Sequence, residues 1–191
     1  MRYSAEHKAQ TRSKILDAAA RRFRVEGYEG LGVDGLAKAA GVTNGAFYGH
    51  FATKADAYRE IVATGLDDLR AGIERFQAEH GADWVGPFAA FYFSAPKIDF
   101  AENACALPAF GPEIARAPDA TRDDFATALE AVHRALVAGL AGDDTAARAW
   151  TMLGLMLGGV TLARGVPDAV QSRTLARQFE NALIMAARAA P

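Results

Sequence analysis

Five residues between positions 43 and 54 carry side chains that suit contacts with nucleic acid: Thr43, Asn44, Tyr48, His50 and Lys54. An amide can pair with adenine or bind a phosphate, and hydroxyl, imidazole and ammonium groups donate to phosphate oxygens. Lys54 stands where a helix is expected to begin, so its charge adds to a helix dipole that already attracts anions. Arg12 is expected to contribute one more contact from a preceding helix. We therefore predict a DNA-binding surface.

The residues around this cluster predict a helix-turn-helix. Apolar residues at helical spacing precede Gly41, which can take the left-handed backbone that ends a helix. Thr43 can then cap a second helix by accepting a backbone N–H. Phe47 and Phe51 lie four positions apart and are expected to close the core of this small unit. Two short helices joined in this way place the second one in the major groove of DNA.

Charge is distributed unevenly along the chain. The 191 residues carry a net charge of −2, but residues 1–54 contain nine Lys/Arg and five Asp/Glu, a net +4, and residues 55–191 carry −6. A basic segment that coincides with the predicted helix-turn-helix favours nucleic acid as its partner, although chance alone can produce so modest an excess. We expect a DNA-binding domain over residues 1–54 and a second domain over residues 55–191.

Composition limits the other classes of function. A hydrophobic content of 51% is ample for a folded core. No apolar run reaches the roughly 18–20 residues that span a bilayer, and the polar first residues indicate no signal peptide. A single cysteine, Cys105, excludes an internal disulfide and a multi-cysteine metal site. We expect a cytoplasmic protein without a metal or cofactor.

Helical periodicity dominates the chain, and alternating β-branched runs are absent, so the predicted fold is all-α. A first helix is expected over about residues 8–26, ahead of the helix-turn-helix. The helices of the second domain are expected over about 54–76, 86–95, 119–140, 144–164 and 168–189, with short helices between 96 and 118.

Aromatic residues are concentrated in the first part of the second domain. Seven aromatic residues stand within 27 positions, from Trp84 to Phe110. The side chains expected around a ligand cavity are five of these together with Cys105 and His133, namely Trp84, Phe88, Phe91, Tyr92, Cys105, Phe110 and His133. Apolar walls with a few polar groups are the usual composition of a small-molecule site. An ordinary aromatic core is the alternative, and the sequence leaves both open.

Cys105 lies in the segment ENACALPAF, three residues before Pro108. Because proline is tolerated in the first turn of a helix, Cys105 is expected at or just before a helix N-terminus. That position stabilises a thiolate and favours reaction with oxidants or electrophiles. The alternative is a small buried hydrophobic side chain.

The last two predicted helices each carry an apolar stripe. The stripe residues are Leu153, Met156, Leu157 and Val160 on one helix, and Leu175, Phe179 and Leu183 on the other. Glycines at 154, 158 and 159 thin the first helix, so another backbone can approach it closely. Two helices from each of two chains predict a four-helix dimer interface with two-fold symmetry. Packing within one chain is the alternative and accounts for part of each stripe.

The cluster G-V-T-x-G-x-F-Y-x-H-F-x-x-K at positions 41–54 lies inside a longer stretch, Thr11 to Tyr58, that resembles the TetR family of transcriptional regulators. The resemblance covers about a quarter of the chain. It implies a three-helix DNA-binding domain with the cluster at 43–54 on the DNA, and a larger helical domain that dimerises and binds an effector. Gly32 and Gly49 depart from the family pattern, where a hydroxyl cap and a larger polar residue are usual, and each departure removes a contact to DNA.

These observations predict a homodimeric repressor that leaves a palindromic operator when a small effector binds or Cys105 is modified. One alternative is a helical ligand-binding protein that has lost specific DNA binding, which the two glycine departures favour. Another is a helical enzyme with Cys105 as nucleophile and His133 as base, but nothing in the sequence places these two side chains together.

Overall fold

The computed structural model describes residues 5–188, and within that range every regular element is a helix, as the sequence predicts. The first three helices are α1 (Ala5–Glu26), α2 (Val33–Ala40) and α3 (Asn44–Tyr48). We call these three helices the head. The two stop-and-start signals of the helix-turn-helix are confirmed: Gly41 has a left-handed φ of 67°, and the Thr43 hydroxyl accepts the N–H of Ala46 at 3.1 Å.

The remaining seven helices form what we call the body. They are α4 (Lys54–His80), α5 (Val85–Tyr92), α6 (Ala95–Asp99), α7 (Ala106–Ile114), α8 (Asp119–Gly139), α9 (Thr145–Gly165) and α10 (Ala169–Ala186), with single turns of 3-10 helix at Gly81–Asp83 and Ala101–Asn103. The helix expected up to residue 189 ends at Ala186, and position 189 itself lies outside the described residues. The body is built on two long helix pairs. Helices α4 and α8 run in the same direction, since Arg59 pairs with Asp124 and Gln77 reaches Ala135, whereas α9 and α10 are antiparallel.

The head and the first turns of α4 share one apolar core. Phe47 and Phe51 are buried, as expected from their spacing. The Tyr58 ring meets Phe23 of α1 edge to face at 5.2 Å between ring centroids, a favourable arrangement for an aromatic pair. The helix that begins the body therefore also completes the core of the head, and a division of the chain after residue 54 stays a prediction.

Helix α9 is, by length and composition, apolar enough to cross a membrane, and it is the one such helix in the part of the chain that the structure describes. Its side chains at Ala149, Met152 and Met156 are buried against the neighbouring helices of the body. This packing identifies α9 as a core helix of a helical bundle.

Glu113 of α7 ties the body to the head. Its carboxylate accepts the backbone N–H of Tyr28, in the loop between α1 and α2, at 3.1 Å, and the hydroxyl of Tyr58 at 3.2 Å. Burial, together with the neighbouring Glu113 charge, raises the pKa of Tyr58, so its hydroxyl stays protonated and continues to donate. Lys54 holds the same loop by donating to the carbonyl oxygens of Tyr28 at 2.9 Å and Leu31 at 3.2 Å.

A substitution at Gly27 tests how much the Glu113 contact stabilises the fold. It has a left-handed φ of 72°, and a Cβ there would lie 2.5 Å from a carboxylate oxygen of Glu113. Gly27→Ala is expected to lower the free energy of unfolding by about 2–4 kcal/mol, because backbone strain adds to a displaced charged hydrogen bond. Gly41→Ala is the matched control, since it has the same backbone strain and open space around the Cβ. Equal losses for the two variants in urea unfolding would contradict a role for the Glu113 contact.

Candidate nucleic-acid interface and the cavity beside it

The second helix of the helix-turn-helix presents an exposed polar face. Thr43 and Asn44 are exposed, and Tyr48 retains 54% of its exposure although Phe47 beside it is fully buried. Phe47 thus fixes the helix on the core while Tyr48 points outward one position later. Three of the predicted contact residues therefore share one accessible surface at the start and end of α3.

Asp34 of α2 is part of this surface and was missed by sequence reasoning. The Asn44 side-chain amide donates a hydrogen bond to the Asp34 carboxylate. This contact orients the amide across the turn and leaves its carbonyl oxygen free to accept. A polar residue at the exposed start of α2 is the sequence signal that could have identified it.

Arg12 and Lys54 are not free for DNA in this structure, unlike the prediction. The Arg12 guanidinium forms a forked ion pair with Glu60 of α4 and lies 4.7 Å from the centre of the Phe51 ring. The Lys54 ammonium is bonded to two loop carbonyls and lies 3.8 Å from the centre of the Tyr28 ring. Both charges stabilise the head, and contact with a phosphate requires these bonds to be exchanged.

His50 lies at the edge of the same surface. Its Nδ1 atom is buried without a hydrogen-bond partner among the described residues. Burial, followed by the nearby positive charges of Lys8 and Arg12, lowers the pKa of the imidazole. The ring is therefore neutral at pH 7, and it offers a single N–H donor rather than a positive charge.

A cavity of about 330 Å³ lies where α1, α4, α5 and the residues before α7 meet. It brings together four of the residues predicted around a ligand, Phe88, Phe91, Tyr92 and Cys105, and adds Phe76 of α4. Gly72 of α4 also lines it, with no atom near the position of a missing Cβ. The volume is at the lower end of ordinary ligand sites, about 300–1,000 Å³.

The other three predicted cavity residues lie elsewhere, because each is held by a different partner. Trp84 is buried and donates from Nε1 to the carbonyl oxygen of Gly139 at 2.8 Å. Phe110 is fully buried in the core against Tyr58, at 5.6 Å between ring centroids. His133 stacks on Trp150 at 4.3 Å and contacts the Ala146 carbonyl oxygen through Nε2 at 2.9 Å.

Cys105 is the N-cap residue of α7, as expected from Pro108, and it lines the cavity. Burial nevertheless raises the pKa of its thiol, and the Tyr92 hydroxyl, the Leu107 backbone N–H and the charges of Arg24 and Lys97 offset this only in part. The protonated thiol is therefore favoured, which is opposite to the stabilised thiolate expected from a helix N-terminus alone.

Arg24 is a residue of the cavity lining that sequence reasoning missed. It belongs to the last turns of α1, in the head, yet its side chain lines the cavity of the body. Burial lowers the pKa of its guanidinium. A basic residue on the otherwise apolar, body-facing side of α1 was the available signal.

The predicted dimer stripes point largely into their own chain. Leu153, Met156, Val160 and Leu183 are at most 4% exposed. Leu157, Leu175 and Phe179 are partly buried, and Phe179 packs onto Gly159. An interface between two chains on α9 and α10 must therefore use the opposite faces of these helices.

Comparison with known proteins shows that the head is similar to one family of bacterial regulators. Residues 15–61 match the model of the bacterial regulatory proteins of the tetR family. The regulator AcrR of Shigella flexneri is 43% identical over 60 residues, which cover 31% of this chain and 28% of that protein. TtgR of Pseudomonas putida is 35% identical over 88 residues, covering 46% and 40% of the two chains. The chain thus matches well under half the length of these relatives, which are transcriptional regulators and not enzymes.

Solved structures extend the likeness to the whole fold. A TetR-family transcriptional regulator from Cytophaga hutchinsonii superimposes with a TM-score of 0.80 over 100% of both chains at 19% identity. The reduced form of Escherichia coli NemR gives a TM-score of 0.76 at 15% identity, covering 91% of this chain and 95% of that one. At these identities the likeness establishes the arrangement of helices in head and body.

The raised pKa of Cys105 has a measurable consequence. Alkylation by iodoacetamide requires the thiolate, so at pH 7.5 the folded chain should react more slowly than the same chain in urea. The rate should also rise to its half-maximum at a higher pH in the folded chain than in urea. The pH of half-maximal rate reports the pKa of the thiol. Restricted access of iodoacetamide to Cys105 would instead lower the rate at every pH and leave this midpoint unchanged. Cys105→Ser gives the blank, and a lower midpoint in the folded chain would contradict the assignment.

Proposed function

The head of this chain belongs to the TetR family of bacterial transcriptional regulators, and the whole described chain shares that fold; from this premise we propose a homodimeric repressor. In this proposal α3 enters the major groove, and each head binds one half of a palindromic operator. A small effector bound in the cavity, or modification of Cys105, releases the DNA. The observation that supports the proposal most directly is the exposed face of Thr43, Asn44 and Tyr48 on a helix that is capped and anchored by Phe47.

The polar face of α3 suits DNA better than another protein. Thr43 and Tyr48 carry hydroxyls that donate to phosphates, and Asn44 carries the amide that reads adenine or a phosphate. The net charge of +4 over residues 1–54 attracts the DNA backbone at long range, although the chain as a whole carries −2. Cellular location follows from this role, and we propose that the protein works in the cytoplasm.

Helix α7 provides a route from the cavity to the head. Its first residues, Cys105 and Ala106, line the cavity, and its last turn carries Glu113, which holds the loop of the head at Tyr28. Ala106 packs against α4 at Gly65, where an added Cβ would lie 2.6 Å from the Ala106 Cβ. So close a contact leaves little room for independent movement. A ligand that binds more tightly when α7 is displaced would shift the population toward heads with the wrong spacing.

Modification of Cys105 would act at the same end of α7, because an added group there must enter the cavity or move the helix. The raised pKa of the thiol disfavours the reactive thiolate. We therefore favour a bound effector over modification of Cys105 as the signal that releases DNA. Cys105→Ser separates the two modes. If the variant still releases DNA fully when treated with quinones, aldehydes or hypochlorite, modification of Cys105 is excluded.

A second candidate is a ligand-binding protein that has lost specific DNA binding. It is favoured by the engagement of Arg12 with Glu60 and of Lys54 with the loop carbonyls, and by the glycines at 32 and 49. Under this candidate the cavity keeps its role and the head serves only as structure. The DNA experiment below separates the two candidates.

We propose that two chains associate through the exposed faces of α9 and α10. Gly154 and Gly158 have no atom within 4 Å of an added Cβ, so a second backbone can approach there. Large exposed apolar side chains lie on the same two helices. Trp150 and Leu162 flank the glycines on α9 with exposures of 46% and 55%, and Met185 on α10 is 70% exposed. Exposed apolar groups of this size on a small protein are typical of association sites.

Binding to the DNA that flanks the protein's own gene tests the proposed repressor. The wild type should shift this DNA specifically, and the logarithm of its affinity should fall linearly with the logarithm of salt concentration, by about 0.9 for each phosphate neutralised. Tyr48→Ala should weaken binding about tenfold by removing a phosphate contact. Phe100→Ala is the control, because Phe100 has the same 54% exposure and lies in the body. If the wild type shifts no sequence specifically, the repressor is excluded and the second candidate stands.

A charged side chain at Gly158 tests the dimer. Gly158→Glu should improve helix propensity and leave the fold intact, but it places two like charges where the chains would meet. Light scattering after size exclusion should show the mass falling from twice 20.3 kDa to 20.3 kDa. Gly86→Glu, which has equally open space in α5, should leave the mass at twice 20.3 kDa. A Gly158→Glu variant that remains dimeric would place the interface on another surface.

A further inference from the structure

We propose that the cavity binds a small organic carboxylate between Arg24 and Tyr92. The carboxylate accepts hydrogen bonds from the guanidinium and the phenol, and the apolar part of the ligand lies against the aromatic rings of Phe76, Phe88 and Phe91. This names the chemical class of the effector. Its regulatory consequence rests on the proposed function, but the binding itself does not.

Arg24 is a half-buried cation to which the described chain offers no hydrogen-bonded acidic partner. Its guanidinium makes no hydrogen bond or ion pair within residues 5–188, and its Nε is a buried donor without an acceptor. Asp68, the acidic residue whose charge acts on it, forms no ion pair with it. The Phe110 ring, 5.6 Å from the guanidinium carbon, supplies only a weak contact. A buried charge without compensation is costly, and a planar fork of donors matches the geometry of a carboxylate.

Tyr92 supplies a second donor in the same cavity. The residue is 4% exposed, and within the described chain its hydroxyl faces only the Cys105 sulfur, a weak acceptor, and no oxygen or nitrogen acceptor. Burial, followed by the neighbouring Cys105, raises the pKa of the phenol, so the hydroxyl is a donor at every physiological pH. Buried hydroxyls are nearly always hydrogen-bonded in folded proteins, and an acceptor that enters the cavity would satisfy this one.

The charges around the cavity favour an anion. Three basic residues line it, Arg24, Arg75 and Lys97, against two acidic ones, Asp68 and Glu102. Lys97 is already engaged, since its ammonium donates to the Asn103 carbonyl oxygen at 3.3 Å and lies 5.2 Å from the centre of the Phe91 ring. Arg75 lies 4.0 Å from Glu79 and its side chain is 60% exposed, so Arg24 is the half-buried cavity cation that no acidic side chain pairs.

The aromatic wall of the cavity determines the shape and polarity expected of the rest of the ligand. Phe76 meets Phe88 at 5.7 Å and Phe91 at 5.5 Å between ring centroids, which leaves a continuous aromatic surface beside the two donors. The neighbouring segment 97–100, which includes the cavity residue Lys97, is fixed because Arg164 of α9 donates to three of its carbonyl oxygens at 2.9–3.1 Å. A flat or flexible apolar body with one anionic end matches this arrangement.

Arg24 also connects the ligand directly to the head. It leaves α1 close to its C-terminal end at Glu26, next to the loop that Glu113 and Lys54 hold. A carboxylate bound to Arg24 would thus contact the DNA-binding unit itself as well as the start of α7. If the proposed function holds, bound carboxylate lowers the affinity for operator DNA.

Calorimetry on the full chain without DNA tests the binding. The probes are benzoate, 2-naphthoate and octanoate, each compared with its neutral primary amide. At least one carboxylate should bind, and tenfold or more tightly than its amide. Arg24→Met, which keeps an apolar stem, should weaken that binding at least tenfold, and Tyr92→Phe should weaken it severalfold to tenfold.

Controls make the result decisive. Arg22→Met removes a cation of α1 that pairs with Glu26 outside the cavity, and it should leave binding unchanged. Tyr92→Phe removes a hydroxyl that has no oxygen or nitrogen acceptor within the described chain and should fold normally, so it tests the site even if Arg24→Met does not fold. The proposal is overturned if no carboxylate binds, if the amide binds equally well, or if Tyr92→Phe and a folded Arg24→Met bind as the wild type does.

Two other results would contradict the proposed function without contradicting the carboxylate site. Carboxylate binding that depends on Arg24 but leaves the DNA complex unchanged supports the site and removes its role in release. Absence of any specific DNA complex, with binding intact, supports the site in a protein that is not a repressor.

Discussion

The carboxylate of Glu113 joins α7 to the head, next to the apolar core that the head shares with α4. It is the acceptor for both a backbone N–H of the head and the Tyr58 hydroxyl of α4, so a single side chain of α7 meets two units at once. Gly27 makes room for it by having no Cβ and by adopting a left-handed backbone. Because Glu113 belongs to α7, a displacement of α7 would change the support of the loop between α1 and α2.

The cavity exists because side chains are missing where helices meet. Gly65 lets Ala106 of α7 approach α4 closely, and Gly72, two turns further on, leaves open space. The same region collects polar groups that the fold does not pair, Arg24 and Tyr92. Unpaired donors away from water lower stability. A ligand that accepts hydrogen bonds from both therefore explains their presence in one cavity better than packing does. In the proposed function, ligand binding therefore acts at the N-terminal end of α7.

The sequence predicted the parts of the fold that depend on neighbours along the chain. Gly41 and Thr43 end and begin helices through bonds to residues at most four positions away, and Cys105 begins α7 for the same kind of reason. Predictions about side-chain partners fared differently. Arg12 meets Glu60, 48 positions away, and Lys54 meets the carbonyl of Tyr28, 26 positions away. A pattern of residue types cannot reveal such pairs, because two basic side chains near a helix-turn-helix look alike whether they face DNA or a carboxylate.

By itself the sequence determined the all-α class, the helix-turn-helix and the exposed residues of α3, because capping, helical periodicity and burial of Phe47 are local properties of the chain. It also identified a cluster of aromatic residues, but left open whether they line a cavity or form an ordinary core. Only the tertiary structure decided that Phe88, Phe91 and Tyr92 line the cavity while Trp84 and His133 do not, and that Arg24 of the head joins them. The physical reason is that helix packing brings together side chains far apart in sequence, and their hydrogen-bond partners determine which of them stay available for a ligand.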